Sequence, residues 1–380
     1  MDLLRSLCIF FLCLSFGFGY YPEDDTSIRQ LARLWRRQYD VEYKSFHQSE
    51  EKLKIFKENV KHINWLNKVY SGKTEFALNK FADTSPEEFQ AKILMSKRQP
   101  PVFESSRYIE HSGVKFNDLP DSFDWVDQGR VTPVKDQGDV GTCWAFSTVE
   151  NIEGQWIQFG KPMTNLSVEQ VVECDSTADI NKNNTNADCG VFGGWPYLAY
   201  QYVMKAGGLQ TWEDYWYCCG LGGKPGTCEI CPPGGYNWTR CGPPVPYCNM
   251  TQSCAAKINP KKFVPQLKVI DWKAISQDED DIAQQLMSIG PLSIALDATE
   301  LQFYHKGVFD PLFCSKTHLD HAVLLVGFGK EKDLFSTKPF WKVKNSWGAS
   351  WGEQGYFRML RGSGTCGMNT AVTTSVLMKP

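Results

Sequence analysis

Apolar residues fill the stretch from Leu7 to Phe18 almost without a break, behind a single basic residue, Arg5, and ahead of the small Gly19. The run falls short of the roughly 20 residues a membrane span needs, so residues 1–19 read as a cleaved secretory leader. Beyond it the pattern turns helical: Gln48, Lys52, Phe56, Asn59, Ile63 and Asn67 recur at steps of three and four and share one helix face, with polar members that need partners. Phe76, Leu78, Asn79, Phe81 and Asp83 predict a short strand running into a turn, and the polar, proline-containing stretch from Ser96 to Ser106 predicts an exposed linker.

From Leu119 the chain becomes dense in Gly, Trp and Cys. After Trp125 and the loop Gln137 to Thr142, Phe146, Val149, Ile152 and Trp156 mark a helix ended by Gly160, which places Cys143 at its start. Residues Thr211 to Ala255 are rich in Cys, Gly and Pro with little periodicity. Strands are then expected at Phe263–Val269, Leu292–Leu296, His321–Phe328, Phe340–Asn345 and Gly355–Leu360. A helical half followed by a strand half predicts an α+β fold with a cleft between the halves.

Composition narrows the function. A formal charge of -3 and a pI near 6.1 give no long-range attraction to nucleic acid or anionic membranes, and no later stretch is apolar enough to span a bilayer. In a secretory compartment cysteine pairs oxidise, and removing the leader with Cys8 and Cys13 leaves twelve of the 14 cysteines. Sequons at Asn165, Asn183, Asn237 and Asn249 suit that compartment. Cys228 and Cys231 have zinc-ligand spacing, but there a disulfide-stapled loop is the expectation, with no metal or cofactor.

A thiol at a helix start is a candidate nucleophile, because the helix dipole and a nearby imidazolium favour thiolate. After Leu119 the only histidines are His305, His318 and His321, and His321 opens the apolar strand Ala322 to Val326. Asn345, at the end of the alternation Trp341, Val343, could orient that ring. On these residues alone, a buried structural Cys with an unrelated His fits equally well.

The sequences QGDVGTCWAFS at 137–147, LDHAV at 319–323 and NSWG at 345–348, in that order, resemble the papain-like cysteine proteases, the cathepsin group. The 48–67 stripe resembles the ERFNIN motif of cathepsin L-type prodomains, with Gln48 and Lys52 for Glu and Arg. Ala77, Asn79, Phe81 and Asp83 resemble its GxNxFxD companion, with Ala for the first Gly. The resemblance implies a two-lobed papain-like fold, helical lobe against β-barrel-like lobe, behind a helical prodomain. It divides the chain into a signal peptide (1–19), an inhibitory prodomain (20–117) and a mature protease (118–380) with a Cys-rich insertion at about 215–254. It implies Cys143 as nucleophile, His321 as base, Asn345 as orienting group and Gln137 as oxyanion donor, with Trp347 shielding the His321–Asn345 bond. Gly193 and Gly194 would offer backbone to an extended substrate, and Trp195, Pro196, Ala295, Ala322 and Ala371 would line an apolar S2 pocket. It pairs Cys314 with Cys366, and Cys174 with Cys254 is the second pairing expected.

The expected product is a zymogen, monomeric, secreted or lysosomal, acting as an endopeptidase on polypeptides and open to cystatin-type protein inhibitors. Its own prodomain would be its first inhibitor, loosened by acid through carboxylates such as Asp83. An exopeptidase or ligase on the same chemistry, or a binding module on the same scaffold, are the alternatives. Two departures stand out. Val140 and Val191 occupy positions where the family has a disulfide, so an apolar contact is expected there. Cys143 and His321 lie 178 positions apart, against roughly 130 to 150 in the family, and the segment Cys218 to Cys248 accounts for the excess. It contains no His, so the carboxydipeptidase device of cathepsin B is not carried over.

Overall fold

The computed structural model describes residues 20–177, 188–217, 258–332 and 337–379. The leader, most of the insertion, Cys254 and the sequons at Asn183, Asn237 and Asn249 lie outside those residues, whereas Asn165 is described and exposed.

Two N-terminal helices, α1 (Asp25–Gln38) and α2 (Phe46–Tyr70), pack through Ile28, Leu31, Trp35, Phe56 and Val60. The polar members of the α2 stripe are explained by where the chain goes next. Gln48 is bonded at the helix start: Ser45, the N-cap, accepts Gln48 N through Oγ at 3.1 Å, while Gln48 Oε1 accepts Lys44 N at 2.8 Å. Lys52 Nζ donates to Asp83 O, Asn59 Nδ2 to Ala82 O and Thr84 O, and Asn67 exchanges bonds with both backbone groups of Phe76. The stripe is therefore a template that folds residues 76–84 onto the helix. The strand β1 (Thr74–Phe76) and helix α3 (Pro86–Lys92, capped by Ser85) follow from it.

The helical lobe is built on α4 (Cys143–Gln158), α5 (Val168–Cys174) and α6 (Pro196–Ala206). Helix α4 is buried from Cys143 to Ile157, on all sides rather than on the single face its apolar spacing suggested, since α6 and strands of the opposite lobe pack around it. It gives way at Gly160, whose φ of 72° suits a residue without Cβ.

The strand lobe adds β2 (Phe123–Asp124), β3 (Val269–Ala274), helix α7 (Glu279–Ile289), β4 (Leu292–Leu296), β5 (Tyr304–Phe309), β6 (His321–Lys332), β7 (Thr337–Lys344), β8 (Tyr356–Leu360) and β9 (Thr373–Leu377). The strand order is β1-β5-β8-β7-β6-β4-β9-β3, with β2 on β6. Strand β6 runs apolar from Ala322 to Val326 because it is central: β4 pairs it from Leu292↔Leu325 to Leu296↔His321, and β7 pairs it on the other side. The strand expected at 263–269 instead begins at Val269. Pro265 supplies no N–H for a ladder and Gln266 sits at φ 67°, so this stretch turns, and the alternation Val269, Trp272, Ala274 pairs with β9. The β1 strand joins this sheet through β5, with Thr74 opposite Gly307.

Cys314 is disulfide-bonded to Cys366. Cys174 and Cys189 are also disulfide-bonded, and the partner expected for Cys174, Cys254, is outside the described residues. Val140 and Val191 fall in one buried cluster, and Gly141 N donates to Val191 O at 3.0 Å.

Candidate active site

Thr142 is the N-cap of α4, so Cys143 occupies the first turn, where the unpaired backbone N–H groups face outward. The register of β6 brings its first residues against that turn: Ala322 N donates to Cys143 Sγ at 3.5 Å. The preceding residue, His321, bonds through Nε2 to Asn345 Oδ1 at 2.8 Å. An amide oxygen only accepts, so Nε2 carries the proton and Nδ1 keeps the lone pair of the neutral ring. That Nδ1 is buried without a partner. Trp347 stacks on the ring, centroids 4.7 Å apart, and both His321 and Asn345 are buried. The arrangement supplies a thiol, a free basic nitrogen on the adjacent strand and a fixed tautomer, which are the parts of nucleophilic acyl transfer.

Gln137 sits on the other side of the helix start. Its Oε1 accepts Ser346 Oγ at 2.7 Å, and its Nε2 donates to Val140 O at 2.7 Å and to Ile93 O at 2.9 Å. The Gln137 amide, which also bonds the carbonyl of Val140 in the loop leading to Cys143, is thus engaged by a peptide carbonyl from the N-terminal region. Met95 N donates to Asp320 O at 2.8 Å, and Arg98 and Leu319 exchange backbone bonds, so residues 93–98 run along the cleft. Met95 packs in one buried cluster with Trp195, Ala295, Ala322 and Ala371, its Sδ accepts Gly194 N at 3.4 Å, and the buried Pro196 opens α6 beside it. A Cβ at Gly193 would lie 2.8 Å from Met95 and so collide with the segment lying there, whereas one at Gly194 would lie 2.5 Å from Trp144 and Asp188 in the interior behind it.

Comparison with known proteins gives this geometry a family. The sequence pattern described as papain family cysteine protease matches residues 119–376, and that of the cathepsin propeptide inhibitor domain matches residues 33–89. The chain belongs to the papain family of cysteine proteases. It is 36% identical to cysteine proteinase 1 of Dictyostelium discoideum, over 86% of this chain and 87% of that one. It is 33% identical to mouse (Mus musculus) cathepsin F, over 94% of this chain and 67% of the relative. The structure of digestive procathepsin L 3 from Tenebrio molitor larval midgut superposes with a TM-score of 0.70 at 28% identity, covering 92% of this chain and 99% of that one. The fold is papain-like, the chain is a cysteine peptidase, and it is made as a zymogen with its own propeptide inhibitor.

The propeptide shapes the electrostatics of this papain-family site. Burial pushes the Cys143 thiol up to about 12 and the His321 imidazole down to about 4, the Asn345 bond opposing the latter only in part. In the covered state burial therefore favours the neutral thiol over the thiolate and the neutral imidazole over the imidazolium. Phe81 and Phe89 of the propeptide pack edge-on against Trp347 at 5.6 and 5.3 Å, and Asn79 Nδ2 donates to Gln302 O at 2.7 Å. Ion pairs Lys80–Asp136, Lys97–Asp297 and Arg107–Asp271 cross the same interface.

Asp83 does not act as expected. It bonds Tyr43 inside the propeptide, and burial raises its pKa despite that bond, so acid does not weaken it. Asp297 and Asp271 carry that sensitivity instead. Against the cost of burial, hydrogen bonds from Thr299 and Ser315 hold Asp297, and bonds from Trp272 N–H and Arg107 hold Asp271, below the ordinary carboxylate range. Their contribution is present above that range and is lost as pH falls through it. Among the described residues no helix is long and apolar enough to cross a membrane.

Sequence reading missed a pair of carboxyls behind the Gly193–Gly194 backbone. Asp188 Oδ1 accepts Trp195 N at 2.7 Å, Asp175 Oδ1 accepts Thr177 N at 2.8 Å, and the second oxygen of each is buried without a donor. Burial raises both, Asp175 to about 6, and the neighbouring Asp175 charge raises Asp188 further, opposed by the bond from Trp195 N–H and by the Arg98 charge. A proton shared between them satisfies both orphan oxygens. Because both folded values are raised, the stability they contribute is present below the ordinary carboxylate pKa and is lost as pH climbs above it, through about 6 for Asp175. In Asp188→Asn the amide supplies that hydrogen at every pH. In urea unfolding on a Cys143→Ser background, this variant should be more stable than the parent at pH 7 and little different at pH 4. An unchanged difference between the two pH values would refute the shared proton.

Proposed function

We propose that the mature chain is an endopeptidase that cleaves peptide bonds through a Cys143 thioester. The observation that carries this reading is the peptide carbonyl of Ile93 held by Gln137 Nε2 at 2.9 Å, at the amide this reading assigns to the oxyanion of a scissile carbonyl. In the uncovered enzyme Cys143 Sγ passes its proton to His321 Nδ1 and attacks the carbonyl carbon. Gln137 Nε2–H and the Cys143 backbone N–H stabilise the oxyanion. The imidazolium, oriented by Asn345, returns its proton to the leaving amine, and water then hydrolyses the thioester by the same steps.

In this reading residues 1–19 are a signal peptide, 20–117 the inhibitory prodomain and 118–380 the mature protease, in the lysosome or outside the cell. Polypeptides are its substrates, and cystatin-type proteins are its expected protein inhibitors. Met95, which contacts Gly193 and Gly194, belongs to the same buried apolar cluster as Trp195, Ala295, Ala322 and Ala371, which supports an S2 pocket for branched or aromatic side chains. Ala371 offers Arg no counter-charge, so a buried guanidinium would stay unpaired. For internal peptides differing only at that position, kcat/KM for Leu or Phe should exceed Arg by at least about tenfold, roughly 1.4 kcal/mol. A preference for Arg, or release of terminal residues only, would overturn this assignment.

A further inference from the structure

One hydroxyl touches both halves of the oxyanion site. Tyr217 Oη donates to Gln137 O at 2.7 Å and lies 2.8 Å from Thr142 Oγ1. A carbonyl cannot donate, so the single Tyr217 proton goes to Gln137 and the Thr142 hydroxyl donates to Tyr217. Gln137 carries the side-chain amide, and Thr142 is the N-cap directly before Cys143, whose N–H is the other donor. The Tyr217 ring is fully buried, meeting Phe146 edge-on at 4.8 Å and stacking on Trp212 at 5.9 Å, so the hydroxyl has little freedom to move. The loop it bridges needs such a fixture. Gly138 turns at φ 67°, and the other side of Gln137 is held through Ser346, by N to O at 2.8 Å and by Oγ to Oε1.

We propose that Tyr217 is a positioning residue that sets the separation of the Gln137 amide from the Cys143 N–H. The proposal rests on the reading of those two groups as oxyanion donors. Gln137 is clamped between Ser346 from the strand lobe and Tyr217 from the helical lobe. Loss of the Tyr217 hydroxyl leaves Gln137 O without a partner for that bond and frees the loop to relax, which lengthens the donor pair at the moment charge develops. A misplacement of a fraction of an ångström in such a pair lowers turnover with little effect on ground-state binding.

The test compares Tyr217→Phe, Gln137→Ala and the double variant, as processed enzymes with active sites titrated. Three quantities are measured: kcat, KM, and the rate of Cys143 alkylation by iodoacetamide, a displacement that forms no oxyanion. Tyr217→Phe should lower kcat about tenfold, change KM less than about twofold and leave alkylation unchanged. Combined with Gln137→Ala it should cost little more than Gln137→Ala alone, since it acts through that amide. Multiplicative losses, an unchanged kcat, or alkylation falling in step with kcat would overturn the proposal. If Gln137→Ala itself leaves kcat intact, the oxyanion reading fails; if it lowers kcat and Tyr217→Phe does not, only the positioning role fails. Thr142→Val, which removes the donor to Tyr217 but keeps the ring packed, should lower kcat in the same direction, and it decides the matter if Tyr217→Phe does not fold.

Discussion

Cys143→Ser should fold, keep its propeptide in the cleft and lose kcat by about 10⁴-fold or more. Cys143 is the one free cysteine among the described residues, and its sulfur sits between a helix start and the strand that begins with His321. A serine hydroxyl at that place is far less acidic, and this site offers no carboxylate-backed His to activate it, since Asn345 holds the ring with a neutral amide. The loss of a sulfur atom removes only a long contact from Ala322 N, so thermal unfolding should move by no more than a few degrees. Assayed after processing by added protease, a variant retaining more than about one hundredth of parental kcat would contradict the assignment of the nucleophile.

Gln137→Ala should produce two effects from one deletion. Removing a single oxyanion donor costs on the order of 10²–10³ in kcat. The same amide holds Ile93 O in the zymogen, so the isolated propeptide should also bind the variant more weakly, by about 1 kcal/mol for one buried hydrogen bond. Turnover and propeptide inhibition constants measured on the same preparation separate the two. A fall in kcat with unchanged propeptide affinity would mean that the amide does not reach the inhibitor carbonyl in solution.

What could be read in advance, and what could not, follows from where each signal resides. The α2 stripe was legible because helix periodicity is local, and its polar members Lys52, Asn59 and Asn67 find partners in residues 76–88, nearby in sequence. The start of α4 and the apolar run of β6 were legible for the same reason. The strand at 269–274 was misplaced because apolar content at 263–269 outweighed the signal of Pro265. Tyr217, Asp175 and Asp188 gave no warning. Their roles arise from contacts made only after folding, Asp175 and Asp188 being thirteen positions apart and each adjacent to a disulfide-bonded cysteine. Nor could any pattern announce the carbonyl of Ile93, since every residue has one. Its use depends on the path of the chain, fixed at a distance by Phe81 and Phe89 on Trp347 and by β1 on β5.

The claim that a propeptide holds a complete but uncharged thiol site is tested most directly by labelling. An epoxide-type thiol reagent is added to the precursor at neutral pH and to the acid-processed enzyme, and adducts are located by mass spectrometry. The neutral, covered Cys143 should remain unlabelled in the precursor and become the single labelled residue after processing, with activity lost in proportion to the adduct. Rapid labelling of Cys143 in the intact precursor, or inactivation accompanied by an adduct at another cysteine, would contradict the account.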